Sequence, residues 1–208
     1  MNSTLKEVDQ EMAKGPQYNL HFRRRREGRT DYRTRRRLVL SATPRLVIRP
    51  TNKHVAAQLI MAEPAGDKVL VSAHSSELKE LGWKAACGNM PAAYLTGLLV
   101  GKKAKQKGVG NAILDIGLSS RVSGSRIFAV AKGALDAGLT IPVDKKALPS
   151  DDRLHGNHIV SYSKLISAEP EVYKKRFAAY LKNNLKPDDL KTNFATVETK
   201  INTLGVQQ

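Results

Sequence analysis

The chain has 208 residues and a formal net charge of +16, a surplus that favours a polyanionic partner. Its single cysteine, Cys87, excludes an internal disulfide and favours a reducing compartment. The sequence contains no run of eighteen apolar residues and no apolar signal-peptide core, so neither membrane spanning nor secretion is predicted.

The N-terminal part of the chain is polar and then strongly basic. Residues 1–17 are mixed in charge, and we expect a flexible extension there. An arginine-rich arm follows at residues 18–43, with nine arginines among the sixteen residues from Phe22 to Arg37. Their mutual repulsion predicts an extended segment that is mobile in the free protein and ordered on a polyanion.

The side chains of the arm favour nucleic acid as that polyanion. Arginine binds phosphate through two parallel hydrogen bonds and stacks on bases. We predict phosphate contacts from Arg23, Arg24, Arg25, Arg26, Arg29, Arg33, Arg35, Arg36 and Arg37. Aromatic side chains among basic residues suit unstacked bases, so stacking or wedge contacts are predicted for Tyr18, Phe22 and Tyr32. A nuclear-localisation-like or merely solvated basic tail is the alternative interpretation.

Residues 44–142 have the pattern of an α/β core domain. Short apolar runs at 45–49, 55–61 and 68–73 predict an antiparallel meander of three strands. A short helix is expected from Ser75 to Leu81, followed by an exposed loop at Trp83–Cys87. Asn89 and Pro91 favour the start of a long helix that ends near Lys107.

The second half of the core adds one strand and one helix. A buried strand is predicted at 112–116, then a helix from Ser125, as its N-cap, to Ala137. The order β-β-β-α-β-α predicts a mixed sheet with packed helices and the topology of ribonuclease-H-like folds. Residues 143–208 form a predicted C-terminal helical extension, with helical patterns near 151–168, 171–183 and 188–202.

The sequence lacks the residues that a two-metal nuclease or a phosphate-loop enzyme would need. A two-metal nuclease requires several carboxylates at one place on the sheet, but the first strand offers Arg45 and Arg49, and the fourth offers only Asp115. The glycines of Gly97–Lys103 have neither the spacing nor the hydroxyl of a phosphate loop. We therefore predict a non-enzymatic protein without a metal, a cofactor or a small-molecule substrate.

Seven ordered blocks resemble one known family. They are FRRRREGRTDYRTRRRL from Phe22, PRLVIRPTNKHVAAQ from Pro44, LVSAHSSELKELGWK from Leu70, GNMPAAYLTGLLVGKKA from Gly88, AILDIGL from Ala112, GSRIFAVAKGALDAGL from Gly124 and IPVDKKALPSDDRLHGNHI from Ile141. From Met12 to about Ile166 the chain is similar to the 5S-ribosomal-RNA-binding protein of the large subunit, number eighteen in the universal scheme, in its archaeal form. Neither end of the chain beyond those limits receives a function from the resemblance.

The resemblance implies a structural constituent of the large ribosomal subunit, in the cytoplasm. Such a protein binds 5S ribosomal RNA, helps to anchor it in the central protuberance, and contacts the large-subunit RNA and neighbouring ribosomal proteins. Two family motifs add candidate secondary contacts, at Asn52, Lys53 and His54 in the hairpin turn and at Arg121, Ser125 and Arg126 in a later loop. Ordinary polar turns are the alternative for these loops. A free regulatory RNA-binding protein or RNA chaperone is the alternative for the whole chain.

Overall fold

A computed structural model of the chain describes residues 15–16 and 19–203. Tyr18 and almost all of the predicted flexible extension, including residues 1–14, lie outside the described residues. The predictions made for them stay predictions.

Four strands form one mixed sheet in the order β3-β2-β1-β4. The strands are β1 (Arg45–Pro50), β2 (Val55–Glu63), β3 (Gly66–His74) and β4 (Ile113–Asp115). Strand β2 pairs antiparallel with both β1 and β3, whereas β4 runs parallel to β1. The predicted meander and the mixed sheet are confirmed, and a further parallel bridge joins Asn111 to Thr140.

Helices precede the sheet, pack on it and make up the C-terminal part of the chain. They are α1 (Arg23–Arg26), α2 (Tyr32–Leu40), α3 (Met90–Gln106), α4 (Arg126–Asp136), α5 (Asp151–Leu154), α6 (Asn157–Leu165), α7 (Pro170–Arg176), α8 (Ala178–Lys182) and α9 (Leu190–Thr203). Single 3₁₀ turns lie at Glu77–Lys79, Lys145–Ala147, Ile166–Ala168 and Pro187–Asp189. The helix predicted near 151–168 is divided at Gly156, whose φ of +82° is incompatible with a continuous α-helix.

The arm is helical in two segments, where the sequence predicted an extended conformation. Arginine has a high helix propensity, which repulsion between exposed guanidiniums in water does not abolish. Helix α2 is capped by Asp31, whose side chain accepts hydrogen bonds from the amides of Arg33 (2.9 Å) and Thr34 (3.3 Å). Between α1 and α2, Gly28 has a φ of +61°, which ends the first helix.

The loop predicted to be exposed at Trp83–Cys87 is exposed only at Lys84 and Ala86, whereas Trp83, Ala85 and Cys87 are buried. The Trp83 side chain is 3% exposed, and its indole N–H donates to the carbonyl of Ala86 at 3.2 Å. Cys87 is also buried, and this burial raises the pKa of its thiol. The short helix predicted from Ser75 to Leu81 is a single 3₁₀ turn.

The C-terminal part of the chain is hydrogen-bonded to this loop. Asn193 of α9 donates to the carbonyl of Gly82 at 2.9 Å and accepts from the amide of Lys84 at 3.2 Å. The side-chain amide of Asn183 donates to the carbonyl of Lys84 at 2.7 Å. In the same region the Phe194 ring lies 5.8 Å from the Tyr94 ring of α3, so the C-terminal helices share the core of the sheet. The domain limits at residues 18, 44 and 143 stay predictions.

Helices α3 and α4 pack on one face of the sheet and touch each other at glycines. A Cβ atom at Gly97 would lie 2.1 Å from the carbonyl oxygen of Val130, and one at Gly133 would lie 2.2 Å from the carbonyl oxygen of Tyr94. Both distances are far below van der Waals contact, so the two backbones meet only where side chains are absent. The glycine in the stretch compared above with a phosphate loop therefore serves helix packing.

Replacing Gly133 with alanine should separate these two helices. We expect Gly133→Ala to lower the free energy of unfolding by about 1–3 kcal/mol, because overpacking outweighs the better helix propensity of alanine. Gly110→Ala is the matched control, since a Cβ there would meet nothing within 4 Å. Urea unfolding followed by circular dichroism measures both. Equal stability of the two variants would contradict the close packing of α3 and α4.

Candidate RNA interface

Most of the predicted phosphate contacts are exposed on the arm. The exposed arginines are Arg23, Arg24, Arg25, Arg26, Arg29, Arg33, Arg36 and Arg37. Glu27 forms ion pairs with Arg29 at 3.1 Å and with Arg23 at 3.7 Å, but exposed pairs of this kind contribute little and a phosphate can replace them. The arm therefore presents a dense array of donors to solvent.

Two aromatic residues of the arm, Phe22 and Tyr32, lie together. The ring centroids of Phe22 and Tyr32 are 5.9 Å apart, and Phe22 is 77% exposed. A large ring in water at the edge of an arginine array suits contact with an unstacked base. The stacking role of both residues stays a prediction, and Tyr18 is not among the described residues.

The arm is tied to the sheet through a buried arginine. The Arg45 side chain is 3% exposed, and it donates to Asp115 from Nη1 and to Asp67 from Nη2, both at 3.0 Å. The same oxygen of Asp67 accepts from Nη2 of Arg35 in α2 at 2.9 Å. Arg35, the one half-buried arginine among the nine predicted phosphate contacts of the arm, thus joins the arm to the start of β3.

Asp115, the one carboxylate of the fourth strand, has both oxygens engaged. Oδ2 accepts from Arg45, and Oδ1 accepts from the amide of Gly117 at 2.9 Å. Among residues 15–16 and 19–203, the structure has no group of three or more His, Cys, Asp or Glu side chains placed to hold a metal ion. The chemistry of this carboxylate is that of a structural ion pair.

Removing the charge of Asp115 should leave Arg45 incompletely paired inside the protein. We expect Asp115→Asn to lower the free energy of unfolding by about 3 kcal/mol, because a buried charge that loses its partner keeps its desolvation cost. Glu63→Gln breaks the exposed pair with Lys68 and should change stability by less than about 0.5 kcal/mol. Chemical denaturation compares them, and similar losses would show that the Arg45 pair is not special.

The two loops suggested by the family resemblance lie together at the other end of β1. Arg126 Nη1 donates to the carbonyls of Thr51 at 2.8 Å and Gly88 at 2.9 Å. Asn52 and Lys53 are exposed beside this contact. Arg126 therefore holds the hairpin turn in place, a role that the sequence did not reveal.

The remaining residues of these loops differ in their access to solvent. Arg121 is exposed, whereas the half-buried His54 ring lies 5.0 Å from the His74 ring. Ser125 occupies the N-cap of α4 as predicted, but its side chain makes no capping bond, and its buried Oγ has no partner among the described residues. Asn52, Lys53 and Arg121 are thus the members that a partner reaches most directly.

The structure separates the arm from the hairpin turn by the length of one strand. The arm meets the sheet at Arg45, the first residue of β1, and the turn follows Pro50, its last residue. A strand of this length spans roughly 17 Å. The sheet face between the two ends is the one opposite α3 and α4, and it carries Arg49, Gln58 and Ser72.

In the part of the chain that the structure describes, no helix combines the length and the apolar character needed to cross a membrane.

One comparison with known proteins matches the chain over most of the arm and the sheet domain. A family model described as "Ribosomal large subunit proteins 60S L5, and 50S L18" matches residues 16–111 and 103–144. The two matches overlap and together extend from residue 16 to residue 144, more than half of the 208 residues.

Proposed function

The chain belongs to the family of large-subunit ribosomal proteins 60S L5 and 50S L18, and from this membership we propose that it binds 5S ribosomal RNA and helps to anchor it in the central protuberance. Its role there is structural and non-catalytic. It works in the cytoplasm, in contact with the large-subunit RNA and neighbouring ribosomal proteins.

The observation that carries this proposal is the exposed arginine array fixed to the folded core. Eight arginines of the arm face solvent, while Arg35 is held by Asp67. Arginines in water on a docked segment can each exchange solvent for a phosphate oxygen with little reorganisation of the core. An RNA partner supplies phosphates along the whole length of such an array.

The hairpin turn supplies the second contact of the proposed interface. Asn52 and Lys53 project from a turn whose position is fixed by Arg126. A rigid turn can read the shape and the 2′-hydroxyls of a folded RNA, whereas the arm supplies charge. The preference for 5S RNA over other RNA is therefore assigned to the turn.

The salt dependence of binding tests the role of the arm. Changing Arg23, Arg24, Arg25 and Arg26 together to glutamine should reduce the log-log salt slope of 5S RNA binding by about 3, since each lost phosphate contact removes roughly 0.7–0.9. The matched control removes four exposed charges from α7 and α8, by changing Lys174, Lys175, Arg176 and Lys182 to glutamine.

That control should leave the slope nearly unchanged. Equal reductions in both variants would mean that only net charge matters, and the proposed role of the arm would then fail. Co-sedimentation of the full chain with large subunits from cell extract separates a ribosomal constituent from a free RNA chaperone.

The hairpin turn should affect the preference for 5S RNA over other RNA and not the salt dependence of binding. We expect Asn52→Ala to reduce the preference for 5S RNA over an unrelated folded RNA about five-fold, the loss of roughly one hydrogen bond, with the salt slope unchanged. Asn202→Ala, an exposed position at the end of α9, is the control. Filter binding to both RNAs measures the ratio. An unaltered ratio in Asn52→Ala would remove the turn from the interface.

A further inference from the structure

A cavity of about 400 Å³ lies between the arm and the open face of the sheet. Arginines form much of its wall, contributed by both the arm and strand β1: Arg24, Arg29, Arg35, Arg45 and Arg49. Its volume lies within the range of roughly 300–1,000 Å³ that is common for small-ligand sites. Arg49 was not among the RNA contacts predicted from the sequence.

Three carboxylates share the cavity, but each is engaged within the protein. Asp31 caps α2, and the hydroxyl and amide of Thr34 lower its pKa. Asp67 and Asp115 hold Arg35 and Arg45. The acidic groups of the cavity therefore compensate the arginines that they bind and leave others uncompensated.

Arg24 and Arg49 are the uncompensated pair. Nε of Arg24 donates to the Thr30 hydroxyl at 2.9 Å, and Nη1 of Arg49 donates to the carbonyl of Ile48 at 3.1 Å. Neither guanidinium lies within 4 Å of a carboxylate among the described residues, so both keep donors and positive charge for an anion.

The cavity wall also contains an unpartnered buried donor and a glycine that leaves space for Arg49. Nε of the buried Arg45 has no hydrogen-bond partner within residues 15–16 and 19–203. Gly117 has a φ of +60°, and a Cβ there would lie 2.8 Å from Nη1 of Arg49. The glycine thus makes room for the guanidinium of Arg49 at the edge of the cavity.

We propose that this cavity binds one phosphate group, with Arg24 on the arm side and Arg49 on the sheet side. The inference rests on the proposed function, in which the phosphate belongs to the bound RNA. Two guanidiniums that line one cavity can each donate two hydrogen bonds to phosphate oxygens. The phosphate then joins the arm to the sheet at a second point, beside the Arg35–Asp67 contact.

A double-mutant cycle on 5S RNA binding tests whether both arginines hold the same phosphate. R24Q and R49Q should each weaken binding about ten-fold, the value of one charge-assisted contact, and the double variant should lose far less than a hundred-fold. The control cycle pairs R49Q with R26Q, whose arginine does not line the cavity, and there the two losses should multiply. If R49Q leaves RNA affinity unchanged, or if the two losses multiply in both cycles, Arg24 and Arg49 do not share an RNA phosphate.

The phosphate group in the cavity could come from RNA or from free phosphate, and a measurement with inorganic phosphate distinguishes these two sources. At matched ionic strength, replacing chloride with phosphate should raise the Tm of the free chain by a few degrees and leave the Tm of R49Q unchanged. If the Tm shift is observed and R24Q and R49Q are coupled in RNA binding, the site holds an RNA phosphate. If the Tm shift is observed without that coupling, the site holds a free phosphate. If neither the Tm shift nor the coupling is observed, the proposed phosphate site is wrong.

The same measurements separate the two proposals. A chain that fails to bind 5S RNA but shows the phosphate shift contradicts the proposed function and retains the cavity site. R49K supplies a folded reference, because it keeps the charge and loses the planar fork, so it should fall between the wild type and R49Q in RNA affinity. R49K equal to R49Q would show that charge at this position is irrelevant and would count against the site.

Discussion

The buried guanidinium of Arg45 determines how the other parts of the structure can be arranged. A charge that is 3% exposed is stable only with partners in place, and its partners come from the start of β3 and from β4. Strand β1 therefore lies between these two carboxylates in the folded protein. Because Asp67 also binds Arg35, the position of the arm depends on the same charge.

This constraint divides the sheet into two faces with different chemistry. Leu46 and Ile48 point toward α3 and α4 and are fully buried, while Arg45, Val47 and Arg49 alternate with them on the opposite face. The apolar face supplies the stability of the domain, through packing close enough to require glycine at Gly97 and Gly133. The other face is thereby left to charge and to the proposed contacts with RNA. In the proposed complex the RNA, and not the fold, neutralises the surplus cations of this protein of net charge +16.

Local patterns in the sequence predicted the meander, α3 and α4, since alternation, Asn89 capping and glycine stops act over a few residues. Contacts between distant residues could not be predicted in this way. Arg45 and Asp115 are 70 positions apart, and the loop around Trp83 is hydrogen-bonded to Asn193 of α9, which lies more than a hundred positions later. In the arm, repulsion among arginines was weighted above helix propensity and the cap at Asp31, and two helices were missed. Membership of a ribosomal protein family follows from the family match, whereas the positioning role of Arg126 depends on contacts between residues far apart in the sequence.

The hydrogen bonds from the C-terminal helices to the loop after the first 3₁₀ turn affect the order in which the chain folds during synthesis. Asn193 and Lys200 bind the carbonyls of Gly82 and Leu81, more than a hundred residues earlier. During synthesis the sheet and α3 emerge before α9, so these hydrogen bonds form only after residues 190–203 have been made. A nascent chain that stops before α9 therefore lacks these partners, and the loop that carries Trp83 reaches its native hydrogen bonding late in synthesis.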